Sequence, residues 1–155
     1  MATTWLSDRE QLAWRSFIAT MPELTAAFEA DLAPHGITMG DYEVLVYLSE
    51  AEDNHMRMCD LAAALRLSPS GLTRRLDGMV RNGWVGRTAC PGDRRVMYAM
   101  LTPAGRKKME AAAPDHVASV RRHFIGPLGA DGVLRVSELL EPVRSHLEQL
   151  RGGCE

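Results

Sequence analysis

Apolar residues recur at three- and four-residue spacing in successive runs along the chain, and most runs are opened by a hydroxyl-bearing residue suited to a helix start. Ser7-Asp8-Arg9-Glu10 has the form of a capping box, a hydroxyl three residues before a carboxylate, and Leu12, Trp14, Phe17, Ile18 and Met21 follow it. Thr20-Met21-Pro22-Glu23 repeats that signature ahead of Leu24, Ala27, Phe28 and Leu32, so Pro22 either kinks one long helix or separates two. Pro34-His35-Gly36 ends the region. Thr38 and Asp41 then open a short helix in which five of the six residues after Tyr42 are apolar, which implies burial on most sides.

The spacing predicts a third short helix over 57–65, with Leu61, Ala62 and Leu65 facing inward. Ser68-Pro69 supplies a helix cap and a proline at the first helical position, and the next helix runs through Leu72, Leu76, Met79 and Val80 to Asn82. Gly83 follows at the left-handed position that commonly ends a helix. Two short helices with a tight turn between them form a helix-turn-helix. Residues 84–88 and 95–101 read as strands joined by the turn-forming Cys90-Pro91-Gly92-Asp93, a β-hairpin that makes a wing.

Thr102-Pro103 opens a further helix through Met109 and Ala113, with Pro114 in or beyond it, and Gly126-Pro127-Leu128-Gly129 interrupts the chain. Val136, Leu139, Leu140, Val143, Leu147 and Leu150 line one face of the last helix, with a bend expected at Pro142. The expected fold is mostly α with a small β-hairpin wing in one domain over 1–155. A winged helix-turn-helix occupies about 38–102, between dimerisation helices at about 5–33 and 103–151. The terminal helices carry more apolar surface than a small winged module can cover, which calls for a partner subunit.

Composition adds little until the charge is located. The formal net charge is −2, but residues 1–65 carry three Lys/Arg against eleven Asp/Glu, a net of −8, whereas residues 66–108 carry ten against two, a net of +8. A basic segment inside an acidic protein is the electrostatic footprint of a nucleic-acid-binding surface. Cys59, Cys90 and Cys154 are far apart and lack metal-ligand spacing, which argues against a disulfide framework or zinc finger. The N-terminus has no basic stretch followed by an apolar run, and no apolar run is long enough for a membrane span, so a cytoplasmic location is expected. No Gly-rich phosphate loop or Ser/His/Asp set stands out, and the chain is not read as an enzyme; no cofactor is implied.

With Leu72, Leu76, Met79 and Val80 inward, Ser70, Arg74, Asp77, Gly78 and Arg81 face outward at about 100° per residue. A helix that reads the major groove needs a narrow N-terminal half, a guanidinium that can bond guanine bidentately, and hydroxyls for phosphates. Arg74 is the base reader in this reading. Gly71 permits close backbone approach, Ser68 and Ser70 can bond phosphate or base edges, and Thr73 and Arg75 lie on the flanks, against a phosphate or another part of the protein.

Arg57-Met58-Cys59-Asp60-Leu61-Ala62 leading into Ser68-Pro69-Ser70-Gly71-Leu72-Thr73-Arg74-Arg75-Leu76, then Asn82-Gly83-Trp84-Val85, Asp93-Arg94-Arg95 and Leu101-Thr102-Pro103-Ala104-Gly105 together resemble the MarR family of winged-helix transcription regulators. The resemblance covers nearly the whole chain. It implies a homodimer on a pseudo-palindromic operator of double-stranded DNA, repressing until a small ligand or oxidant releases it. It also implies that Asp93 orients Arg95 so that, with Arg94 beside it, the wing enters the minor groove, where a narrow A·T tract concentrates negative potential.

In the family, effectors are often phenolic or aromatic carboxylates held between the dimerisation helices and the winged module. The resemblance implies a site lined by Trp14, His35, Tyr42, Glu43 and Arg75, although aromatic residues at helical spacing are core by default, and Trp14 and Tyr42 are so read. The urate-responsive branch is similar in its early tryptophan, the arginine at 75 and Pro114-Asp115-His116, but has aspartate where this chain has Glu43. Cys90, beside Arg87, Arg94 and Arg95, is a redox candidate because positive potential favours the thiolate, yet the family's peroxide sensors carry their cysteine in the first helix. His116 and His123 lie about 10 Å apart along a helix, too far to share a metal unaided, so no metal site is expected. Against the regulator stands a winged helix that binds only protein, which would not need Ser70, Arg74, Arg94 and Arg95 all basic or hydroxyl-bearing.

Overall fold

The computed structural model describes residues 4–89 and 96–151, with Arg151 by its backbone alone. The capping box forms: Ser7 Oγ accepts from the Glu10 amide, the Glu10 carboxylate accepts from the Ser7 amide, and helix α1 runs Asp8–Leu32. Pro22 lies inside α1, so the region is one helix rather than two. A 3-10 turn, Ala33–His35, ends on Gly36 at φ 65°, where a side chain would be strained. Thr38 and Asp41 cap α2, Met39–Glu50, in the same reciprocal way.

A strand that the spacing does not reveal follows: β1, His55–Arg57, precedes α3, Met58–Ala64, so Arg57 belongs to a strand and not to the helix expected over 57–65. Helix α4, Pro69–Arg81, begins on the Ser68 cap and ends at Asn82, with Gly83 at φ 71°. Strands β2, Val85–Ala89, and β3, Met97–Leu101, start one and two residues later than expected. The sheet is three-stranded and antiparallel in the order β1-β3-β2, with Met56 and Arg87 both opposite Ala99. The hairpin reading therefore lacked a strand. The turn Cys90–Asp93, with Arg94 and Arg95, lies outside the described residues.

Helix α5, Pro103–Val120, contains Pro114; a π-helical stretch, Arg121–Ile125, leads into α6, Gly126–Arg151. The expected break falls at Gly129, whose φ of 66° and ψ of 176° interrupt α6. The chain divides into two compact units, Met1–His116 and Val117–Glu155.

In the first unit, Val44, Leu45 and Leu48 of α2, Leu61 and Ala62 of α3, Leu72, Leu76 and Met79 of α4, Val85 and Ala99 form one core. A second cluster joins Leu32, Ile37, Tyr42 and Ala112, and Trp84 and Met109 pack against both. Two inward readings are corrected. Val80 is 38% exposed, because it lies about 80° round the helix from Leu72, at the edge of the stripe. Trp14 is 53% exposed on α1, on an apolar face that the single chain leaves open, whereas Tyr42 is core as expected.

Candidate nucleic-acid interface

The buried stripe of α4 leaves its opposite face and N-terminal turn outward. Ser68 Oγ accepts from the Gly71 amide at 3.1 Å and lies 3.2 Å from Ser70 Oγ, so both hydroxyls cluster at the exposed helix start. A Cβ on Gly71 would stand 3.1 Å from Ser68 Oγ, so glycine keeps this turn narrow. Thr73 is exposed and its hydroxyl donates to the Pro69 carbonyl at 2.9 Å. Arg74 is exposed and has no partner among the described residues. The N-terminal half of α4 thus presents the Ser70 amide, two hydroxyls and the exposed Arg74 guanidinium, a set that suits an anionic, hydrogen-bonding polymer.

Arg75 is turned elsewhere. Its guanidinium occupies the space over Gly40 at the start of α2, where an added Cβ would lie 1.4 Å from Nη1. Asp77 and Gly78 are half-buried, and Arg81 is exposed. Asp77 Oδ1 pairs with Arg87 Nη1 at 2.9 Å, and Arg87 Nη2 donates to the Thr73 carbonyl at 2.9 Å. Arg57 Nε donates to the Tyr98 hydroxyl at 3.4 Å, a bond that pushes the guanidinium above its ordinary pKa. Asp93, Arg94, Arg95 and Cys90 lie outside the described residues.

A groove of about 280 Å³ lies between α2 and α5, lined by Met39, Tyr42, Glu43, Val46, Tyr47, Glu50 and His116. The His116 ring packs 4.6 Å from the Tyr42 ring and edge-on to Phe28 at 5.9 Å, and its Nδ1 is buried with no hydrogen-bond partner. Burial holds the His116 imidazole below its ordinary pKa, with the Glu43 carboxylate pulling the other way, and burial raises the Tyr42 phenol. A buried nitrogen with an unused bond, beside an aromatic ring and a carboxylate, can recognise a planar polar ring.

Of the five ligand candidates, the structure brings Tyr42 and Glu43 together in this groove. His35 instead meets Asp115 at 2.7 Å, with Lys108 Nζ donating to the His35 carbonyl, while Trp14 stacks on Phe17 at 6.4 Å. The sequence offers His116 within Pro114-Asp115-His116 and as a histidine too far from His123 to share a metal, but not as a groove residue; its place opposite Glu43 depends on how α5 packs on α2. Among the described residues no group of three or more His, Cys, Asp or Glu is placed to hold a metal ion, and no helix is long and apolar enough to cross a membrane. Cys59 is exposed and unpaired to any other cysteine.

The family model described as MarR family matches residues 37–97, from two residues before α2 to the first residue of β3. Among solved structures, AbsC of Streptomyces coelicolor, a MarR family transcriptional regulator, is 45% identical, with 95% of this chain and 99% of that chain covered at a TM-score of 0.90. Sco3205 of the same organism, also a MarR family regulator and solved in complex with DNA, is 31% identical over 94% of this chain and 92% of that one, at 0.89. The transcriptional repressor YetL of Bacillus subtilis is 26% identical over 98 residues, 63% of this chain, and the match spans 59% of that protein's length. These relatives are transcriptional regulators rather than enzymes. With the helix-turn-helix, the three-stranded wing sheet and the flanking helices all in place, the chain belongs to the MarR family of transcriptional regulators.

Proposed function

We propose that this protein is a sequence-specific DNA-binding repressor that works as a homodimer on a pseudo-palindromic operator and is released by a small aromatic or phenolic ligand. The observation that carries the reading is the N-terminal turn of α4. Its apolar side is anchored in the core while Ser68, Ser70, Gly71, Thr73 and Arg74 line the opposite side, inside the most basic segment of the chain. In this reading α4 enters the major groove, Arg74 reads a base edge, and the wing tip Asp93, Arg94 and Arg95 reaches the minor groove. A DNA complex of a 31% identical relative supports the DNA-binding part, and the YetL repressor supports the sign of regulation.

A second copy of the chain accounts for two unpartnered apolar faces: Trp14, Phe17, Ile18 and Met21 on α1, and Leu139, Val143, Leu147 and Leu150 on α6 are all exposed. Twofold symmetry would place two α4 helices about one turn of B-DNA apart, near 34 Å. The Tyr42, Glu43 and His116 groove is the proposed effector site.

The test is fluorescence anisotropy with DNA from upstream of the protein's own gene against scrambled DNA, across a salt series. Sequence-dependent binding with a log–log salt slope on the order of −5 to −10 is expected from several phosphate contacts per half-site. No preference for any upstream fragment would overturn the reading in favour of a protein-binding scaffold.

A further inference from the structure

We propose that Arg87 is a positioning residue for DNA recognition: a strut that sets the wing strand β2 at a fixed place against the middle of α4. The inference rests on the DNA-binding reading and adds to it a residue outside the outward faces of α4 and the wing tip. The Arg87 guanidinium forks onto two successive turns of α4, with Nη1 on Asp77 Oδ1 and Nη2 on the Thr73 carbonyl, each at 2.9 Å. Thr73 and Asp77 are four residues apart and so share one helix face. The Thr73 carbonyl already serves the helix ladder, and Arg87 takes its second lone pair.

The location makes this contact consequential. Within β2 only Val85 is buried, so beyond that first residue the strand has little apolar hold on α4. Arg87 is the next side chain that reaches the helix, and its own side chain is only 26% exposed, with Nε buried and unbonded. β2 continues directly into the wing, while Thr73 neighbours Arg74 on the helix. One planar side chain therefore ties together the two elements that must meet adjacent grooves at once. A carboxylate and a carbonyl already engage both of its terminal nitrogens, which disfavours a phosphate contact. Lysine cannot substitute, since an ammonium on a flexible stem has no fork to span two acceptors.

The two roles open to Arg87 predict opposite signs. A strut requires that Arg87→Lys, Arg87→Gln and Asp77→Asn all weaken binding to the upstream fragment that the wild type selects, by about tenfold each, with the Asp77→Asn/Arg87→Gln double variant no weaker than either single. Hydrogen exchange without DNA should meanwhile quicken at the amides of 85–89 in Arg87→Lys and stay unchanged in α2. A phosphate ligand predicts the reverse: Arg87→Lys near wild type, and Asp77→Asn binding more tightly because a nearby negative charge is gone. That second pattern, in a wild type that discriminates its operator, overturns the Arg87 inference alone. A wild type that prefers no upstream fragment overturns the DNA-binding reading and takes the recognition role of Arg87 with it.

Discussion

Replacing Gly105 with alanine should destabilise the protein, although alanine is the better helix former. Gly105 lies in the first turn of α5, where its amide donates to Thr102 Oγ1 at 3.0 Å. A Cβ there would stand 2.1 Å from the Trp84 carbonyl oxygen, 2.9 Å from its carbon and 3.0 Å from Leu101 Cδ1. The obstacle is backbone. That same Trp84 carbonyl accepts from the Thr102 amide at 3.1 Å, while Thr102 Oγ1 donates to the Gly83 carbonyl at 2.6 Å, so moving it disturbs the join between α4, β2 and α5. Overpacking costs about 1–3 kcal/mol and a weakened hydrogen bond about 1 more, against about 1 kcal/mol gained in helix propensity. The net expectation is a loss of roughly 1–3 kcal/mol. Gly78→Ala is the control, since the nearest atom to its Cβ would be the flexible Arg81 Nη2 at 3.9 Å. That variant should gain about 0.5–1 kcal/mol. Urea unfolding followed by helical circular dichroism, at one fixed protein concentration because subunit association adds to stability, reads both variants. A Gly105→Ala midpoint at or above the wild type refutes the argument, as does a Gly78→Ala midpoint that falls as far as that of Gly105→Ala.

Arg74→Ala should cost about 1–3 kcal/mol in operator binding and relax base preference at one position per half-site, checked by anisotropy with a panel of operator variants. Leu147→Glu on the exposed face of α6 should shift the protein to monomer in sedimentation velocity, and an unchanged species would contradict the homodimer. Because burial lowers the folded-state pKa of His116, its neutral form contributes stability that is fully present above about pH 6.5 and is lost as pH falls through the lower folded value. The urea midpoint of the wild type should therefore drop further between pH 7.5 and pH 5 than that of His116→Gln; parallel profiles would show that the imidazole is not responsible. An aromatic carboxylate that releases the operator complex should lose that effect in His116→Gln, read as an unchanged anisotropy on titration.

The helix starts were legible because a cap is a local device. Ser7 with Glu10, Thr38 with Asp41, and Ser68 before Pro69 satisfy amide hydrogens within three residues of themselves, so the pattern that predicts them is also what stabilises them. The same holds for the α4 stripe and for Gly83 at a left-handed position. The charge division between residues 1–65 and 66–108 and the outward placement of Ser70 and Arg74 also follow from order and period alone. What is decided at a distance could not be read so. His55–Arg57 is a strand only because β3 supplies its hydrogen bonds, and three residues are too few to carry a period. Arg75 and Arg74 are neighbours of the same type, yet one fills a notch over Gly40 and the other is exposed with no partner among the described residues, a difference set by the approach of α2. Arg87 bonds α4 across 14 residues, and His116 meets Tyr42 across more than seventy. Periodicity and capping act over one helical turn, so the sequence determined the elements and their faces; long side chains choose partners only after those elements pack, so the strut, the groove and the third strand belong to the tertiary structure.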